Sequence, residues 1–326
     1  MSETIFAYHA SHEQFPPSEL LRLAVAAEQA GFRAISSSDH FHPWNERQGE
    51  SGFAFSWLGA AMAQTNIPFS SVCAPGQRYH PAIVAQATAT LNEMFPGRYS
   101  IALGSGEALN ENITGAPWPT KLTRNERLFE SYNVIHRLLK GERVDHSGHI
   151  KVSGARLFTR PETMPLLLCA AVTKETASWA GKWAPGLITT YRPIPELQEV
   201  ISSFRANGGS GKPVWIKVQV SYGLDYQKAL TDAHQQWATN IFSSDILANI
   251  SSIAEFEAAA GKISEGDMPA HVLISSNPWR YVDWLNELME LGCERIILHN
   301  VNLEQDLFIR DFGKLVIPSL KSARQR

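Results

Sequence analysis

The chain is short of most features that would mark a secreted, membrane-bound or nucleic-acid-binding protein. Only three of its 326 residues are cysteine: Cys73, Cys169 and Cys293. They lie in apolar runs without paired spacing, which argues against a disulfide framework and suits reduced, buried thiols in a cytoplasmic protein. No long hydrophobic run is present. The longest, Met164 to Val172, is about half a membrane span and is broken by Pro165. The opening MSETIFAYHA lacks a basic and then an apolar region, so no signal peptide is expected. Neither sign of charge dominates: the net charge of -3 lacks the strongly basic character that nucleic-acid binding favours. Linkers, internal repeats and low-complexity tracts are also missing, and residues 1–326 read as one domain. Apolar residues make up 44%, ample for one large core.

What is present is an alternation of short apolar runs with amphipathic helical stretches. The runs are Ile5–Tyr8, Ala34–Ser38, Phe69–Ala74, Tyr99–Leu103, Leu166–Ala170, Gly186–Thr190, Val214–Val220 and Arg295–His299. Helices are expected over 17–31, 53–65, 81–94, 123–140, 174–182, 195–206, 278–291 and 304–320. Two segments interrupt this rhythm. Residues 142–160 read as a short β insertion around Ser147-Gly148, and 224–276 as a mostly helical insertion too long for one crossover. Eight strand-like runs, mostly followed by helices, predict an α/β fold: a parallel (β/α)₈ TIM barrel with insertions.

In such a barrel the chemistry belongs at the C-terminal ends of the strands. The reactive residues fall there. Asp39, His40, His42 and Trp44 follow strand two; Ser71 and Val72 end strand three; Ser105, Gly106, Glu107 and Asn110 follow strand four. Thr190 ends strand six, Gln219 and Ser221 end strand seven, and His299 and Asn300 end strand eight. Taken singly, each has an ordinary explanation: a surface acid for Glu107, a packing aromatic for Trp44, a satisfied core histidine for His299. Their joint placement favours a site. His40 and His42 could ligate a metal, but barrel metal sites also need histidines near strands five and six. No histidine occurs from Ile150 through Ala233, so no metal is expected. GSGEAL matches a dinucleotide fingerprint only in part and reads as a tight turn.

SDHFHPW together with GSGEALNE resembles the luciferase-like flavin and deazaflavin oxidoreductases, in particular the branch of the deazaflavin-dependent glucose-6-phosphate dehydrogenase. RYHPAIVAQA, GERVDHSG, SWAGKWAPG and VQVSYG extend the resemblance nearly end to end. ASHEQFPPSELLRLA and APGQRYHPAI are similar to a side-group of that branch associated with FMN. The resemblance implies a homodimer with the ring in the barrel mouth and a small-molecule substrate. Asp39 would bind the ring system, while His40, Trp44 and Glu107 would face its reacting edge. Ser105 stands in place of a threonine, and Asn110 matches a cofactor-contacting asparagine. Ser71-Val72 aligns with a non-prolyl cis peptide that bulges against the ring.

Two departures accompany this. Val172 and Thr173 replace a glycine pair that binds the cofactor phosphate at a helix start, where backbone N–H groups and the Thr173 hydroxyl would still serve. On the substrate side, near Thr190, Gln219 and Pro193 replace two phosphate-binding lysines, with Arg192 adjacent, so activity on glucose 6-phosphate is not expected. The resulting expectation is an FMN-dependent oxidoreductase of the luciferase-like monooxygenase class, with His40 and Glu107 as the acid/base pair. The alternatives are a deazaflavin-dependent dehydrogenase of an alcohol or sugar-like substrate, and a non-catalytic flavin-binding barrel. A silent scaffold would have no use for His40, Trp44 and Glu107 together.

Overall fold

The alternation of apolar runs folds into eight parallel strands that close on themselves. The computed structural model describes residues 3–320. The barrel strands are β1 (Ile5–Ala10), β2 (Ala34–Ser37), β3 (Phe69–Cys73), β4 (Tyr99–Leu103), β5 (Leu167–Ala170), β6 (Leu187–Thr190), β7 (Val214–Tyr222) and β8 (Arg295–Asn300). Each pairs with the next in chain order, and β8 returns to β1 in the register Ile5↔Arg295 through Tyr8↔Leu298. Successive side chains on a strand face opposite sides, which sorts the residues into two layers. Ala7, Ala34, Ala102, Leu168, Ile188, Trp215 and Ile297 pack together inside the barrel. Phe69, Tyr99, Ile101, Leu187 and Leu298 pack outward beneath the helices. Mostly small or aliphatic side chains fill the inner layer low in the barrel and give way to polar ones at the mouth.

The helices fall close to their expected places, among them Ala54–Gln64, Pro81–Met94, Lys121–Leu139, Lys174–Gly181 and Ile194–Phe204. The final one is shorter than its periodicity suggests. Its α-helical part is Gln305–Asp311, followed by a wider turn over Phe312–Val316. Gly313 lies so near the backbone of Ala30 that any side chain there would collide with it. The turn brings these two helices into close packing.

The β insertion is an antiparallel pair, Val144–Ser147 with Lys151–Ala155. The second insertion carries helices Tyr226–Trp237, Ser244–Asn249 and Ile253–Ala260, and it ends in a short strand, Leu273–Ser275, that hydrogen-bonds to the far end of β7. Three residues are too few to display a strand period in sequence, so this element was not expected. The three cysteines are buried and unpaired. No helix among the described residues is long and apolar enough to cross a membrane.

Candidate active site

His40 stands between two carboxylates. Its Nδ1 lies 3.5 Å from Glu13 Oε1 and its Nε2 lies 3.8 Å from Glu107 Oε2, both too long for a good hydrogen bond. The three residues leave the ends of β1, β2 and β4, so barrel closure brings them together. Glu13 is fixed from behind: the hydroxyls of Ser11 and Ser38 donate to its Oε2 at 2.7 and 2.8 Å. The ring of Trp44 packs on His40 at 5.1 Å and on Phe256 at 5.2 Å. Trp44 is buried and thus serves both as a wall of the site and as a packing contact to helix Ile253–Ala260.

Burial decides the charge states. It lowers the His40 imidazole to about 4; Glu13 opposes this, while Arg78 and Lys217 reinforce it. For Glu107, burial raises the carboxyl to about 8, helped by the charges of Glu13 and Glu111 and opposed by Lys217 and the Asn110 amide. The Glu107 side chain is 32% exposed, in the confines of the barrel mouth. Burial pushes Glu13 upward too, but the charges of His40 and Lys217 and the two serine hydroxyls outweigh it and hold this carboxylate below its usual range. Near neutral pH the site therefore holds an ionised Glu13, a neutral His40 and a protonated Glu107.

A second layer fixes the loops that carry these groups. The Arg78 guanidinium donates to the Asp39 carbonyl at 2.8 Å and to Asp39 Oδ2 at 3.3 Å, and Tyr79 Oη donates to Oδ1 at 3.0 Å. The Arg78 backbone N–H donates to Glu111 Oε2 at 2.7 Å. Asp39 is thus a buried anchor of its loop. Asn110 ties the other side: its Oδ1 accepts from the backbone N–H of Phe41 and His42 at 2.8 and 3.1 Å, and its amide donates to Glu107 Oε2 at 3.4 Å. His42 turns to the Leu109 carbonyl at 2.9 Å, away from the His40 contacts. Gly106, at φ +82° and hemmed in by Glu111, Ala74 and Trp118, makes the tight turn that delivers Glu107.

The expected cis bond at Ser71–Val72 is not there: the described residues contain no cis peptide. The β3–β4 ladder runs unbroken through Ser71↔Ile101, Val72↔Ala102 and Cys73↔Leu103, leaving no bulge at this point. Ser71 faces outward, its hydroxyl 2.6 Å from Tyr99 Oη, while Val72 faces the barrel interior. On the rim after β5, Thr173 caps helix Lys174–Gly181 by accepting from the Thr176 N–H at 3.3 Å. Val172 precedes it, and the first N–H groups of the helix lack intrahelical partners. Lys174 reaches Glu199 at 3.5 Å. After the neighbouring strand β4, Lys121 Nζ donates to Ser105 Oγ at 3.4 Å. These donors and cations suit a ring-bearing cofactor whose tail is anionic.

The far side of the mouth is built differently. Lys217 and Gln219 share the inward face of β7 with Trp215, and Thr190 pairs with Lys217 in register on β6. Lys217 Nζ lies 5.6 Å from the Trp237 ring. His299 is a satisfied core histidine in part: its Nε2 donates to Gln14 Oε1 at 2.9 Å, and its ring packs on His9 and Trp237. The sequence reading passed over Glu13, Arg78 and Lys217. Glu13 follows β1 as His40 follows β2, so the same strand-end logic points to it, and Lys217 is a lone charge at inward parity in VWIKVQV.

Residues 4–292 match the family model described as luciferase-like monooxygenase. Among curated proteins, an F420-dependent glucose-6-phosphate dehydrogenase of Nakamurella multipartita is 33% identical, covering 97% of this chain and 96% of the relative. F420 is a deazaflavin. Among solved structures, an F420-dependent secondary alcohol dehydrogenase with an F420–acetone adduct superposes with a TM-score of 0.90. It is 27% identical and covers 98% of this chain and 100% of its own. The monooxygenase RslO1 of Streptomyces bottropensis, 18% identical with a TM-score of 0.75 over 97% of this chain and 99% of its own, shares the fold.

Proposed function

The chain belongs to the luciferase-like family of oxidoreductases, and from that premise we propose that it is a deazaflavin-dependent dehydrogenase of a small secondary alcohol. This reading departs from the FMN monooxygenase that the side-group resemblance suggests. The relatives at 27% identity and above named here are F420-dependent dehydrogenases, and the monooxygenase likeness is confined to a lower identity. Lys121 beside Ser105 adds a cation to the donors at the helix start, where Lys174 is itself paired with Glu199, and this supports a cofactor with an anionic tail.

The observation that carries the proposal is the placement of His40 between Glu13 and Glu107, at 3.5 and 3.8 Å, where burial favours a neutral imidazole and a protonated Glu107. When bound, the deazaflavin supplies a two-electron hydride acceptor. A neutral His40 accepts the substrate hydroxyl proton at Nε2 as the carbinol C–H bond gives up its hydride and the carbonyl forms. Glu13, ionised behind Nδ1, stabilises the resulting imidazolium. Glu107 holds the proton that the two-electron reduction consumes. Trp44, with Phe256 behind it, keeps water from the His40 ring.

Paired titrations of the apo-protein with the deazaflavin and FMN, followed by anaerobic turnover with a panel of secondary alcohols, test this. The expected result is deazaflavin binding at least about tenfold tighter, a difference of about 1.4 kcal/mol, with alcohol-dependent reduction. Tighter FMN binding, with oxygen consumption once FMN is reduced, would restore the monooxygenase reading.

A further inference from the structure

We propose that Lys217 anchors a compact anionic group of the substrate, so that this enzyme takes hydroxy-carboxylates in preference to neutral alcohols or sugar phosphates. The inference rests on the hydride-transfer reading above and names its substrate class. Lys217 projects from the inward face of β7, level with Thr190 on β6 and Ile297 on β8. Among the described residues its ammonium makes no hydrogen bond or ion pair; its close neighbour is the face of Trp237 at 5.6 Å. A cation withdrawn from bulk water without a partner is costly unless one arrives.

The two acids that act on it do not fill that role. Glu13 is occupied by Ser11 and Ser38, and Glu107 is held protonated near neutrality. The neighbouring polar groups are equally uncommitted. The Thr190 hydroxyl and the Gln219 amide have no hydrogen-bond partner among the described residues, and the Nε of Arg192 is buried without one. One ammonium, one hydroxyl and one amide thus lie on adjacent inward positions with their donors free.

The charge balance selects the ligand. Lys217 is the single cation on this face and the carboxylate of Glu13 already acts on it, so a ligand with one negative charge can pair with the ammonium, whereas the second charge of a dianion would find no cation and would meet Glu13. Gln219, two residues along the same face, lies nearer the rim by about 6.6 Å and carries no charge. The cation is therefore set deep, close enough for its charge to act on His40. A carboxylate held by Lys217 on a short hydroxy acid places the carbinol beside His40, whereas a long sugar phosphate would need its cation at the rim.

Two measurements separate this from its premise. Calorimetric titration with 2-hydroxy-2-methylpropanoate, which has no carbinol hydrogen to lose, reads anion binding without turnover. Wild type should bind it, Lys217→Gln should weaken binding by about 10- to 100-fold, as loss of one charge-assisted hydrogen bond does, and Lys217→Arg should restore most of it. Equal binding by wild type and Lys217→Gln, or none by wild type, overturns the proposal. Turnover with matched 2-hydroxy acids and their primary amides then gives a selectivity ratio, expected to favour the acid and to collapse in Lys217→Gln. A ratio unchanged by the substitution likewise overturns it. Anion binding that depends on Lys217, with no deazaflavin reduction by any alcohol, would instead leave the anion site standing and overturn the dehydrogenase reading.

Discussion

The two sides of the barrel mouth are finished to different degrees. On the β1–β4 side the groups that hold the acid/base loops are committed: Glu13 to two serines, Asp39 to Arg78 and Tyr79, and Asn110 to two backbone N–H groups and Glu107. On the β6–β7 side the side chains of Thr190, Lys217 and Gln219 make no hydrogen bond or ion pair among the described residues, and Lys217 has only the face of Trp237 beside it. The first side is organised before any ligand arrives, as proton transfer demands, because misplaced acid/base groups forfeit most of their effect. The second leaves its donors without protein partners, free to take a ligand of the right kind. Reaction type therefore resides in one half of the mouth and substrate choice in the other.

The comparison breaks most sharply at the acid/base pair. His40→Ala and Glu107→Gln should each lower turnover by about 10²- to 10⁴-fold, the usual loss for a general base or acid, with the deazaflavin affinity read separately by titration. In wild type, kcat/KM should fall below about pH 4 as His40 becomes protonated and above about pH 8 as Glu107 ionises. Lys217, pushed down to about 8 by burial, titrates in the same alkaline window. The Glu107→Gln profile with a neutral secondary alcohol, which has no anion for Lys217 to hold, separates them: its residual activity should lose the alkaline limb if Glu107 is the acid, and keep it if Lys217 controls the rate.

Next in size is the structural support of the committed side. Arg78→Met strands the buried carboxylates of Asp39 and Glu111 and should cost about 3–5 kcal/mol of stability, as removal of one partner from a buried ion pair does. Chemical denaturation measures it. A loss under about 1 kcal/mol, the worth of an exposed pair, would show that the anchor beneath the His40 loop is dispensable.

On the open side, glucose 6-phosphate should have a kcat/KM at least about tenfold below that of the best small hydroxy acid, since one missing charge-assisted bond is worth about that much or more. Efficient, saturable oxidation of it would mean that Arg192 supplies the second cation. The smallest effect is expected at Ser71→Ala, which leaves Tyr99 Oη buried without its partner and should cost about 1–3 kcal/mol. The double variant with Tyr99→Phe should recover part of that loss.

The same comparison explains what the sequence could disclose. All eight barrel strands were legible, because their apolar runs are bounded by turn residues and separated by helical periods. Strand order then placed His40 and Glu107 at the mouth, and the structure brings them to 3.8 Å. Glu13 follows β1 as His40 follows β2, so its place at the mouth was open to the same logic, but its 3.5 Å approach to His40 depends on how the loop after β1 folds over β2, which no local pattern records. Lys217 was hidden by its setting: within an apolar strand, parity alone does not tell a core charge from one at the rim. The Ser71–Val72 bond, expected cis from resemblance, follows instead the regular ladder that its neighbours on β4 impose. The strand Leu273–Ser275 exists only through its pairing with β7, a tertiary contact without a sequence signal.

Transfer of the carbinol hydrogen tests the account most directly. The protein, loaded with oxidised deazaflavin, would be mixed anaerobically with a secondary alcohol deuterated at the carbinol carbon, and the reduced cofactor analysed by mass spectrometry. One deuterium is expected on the cofactor, with carbonyl product in equal amount and no need for oxygen. Unlabelled cofactor, or product that forms only when reduced FMN and oxygen are supplied, would contradict it.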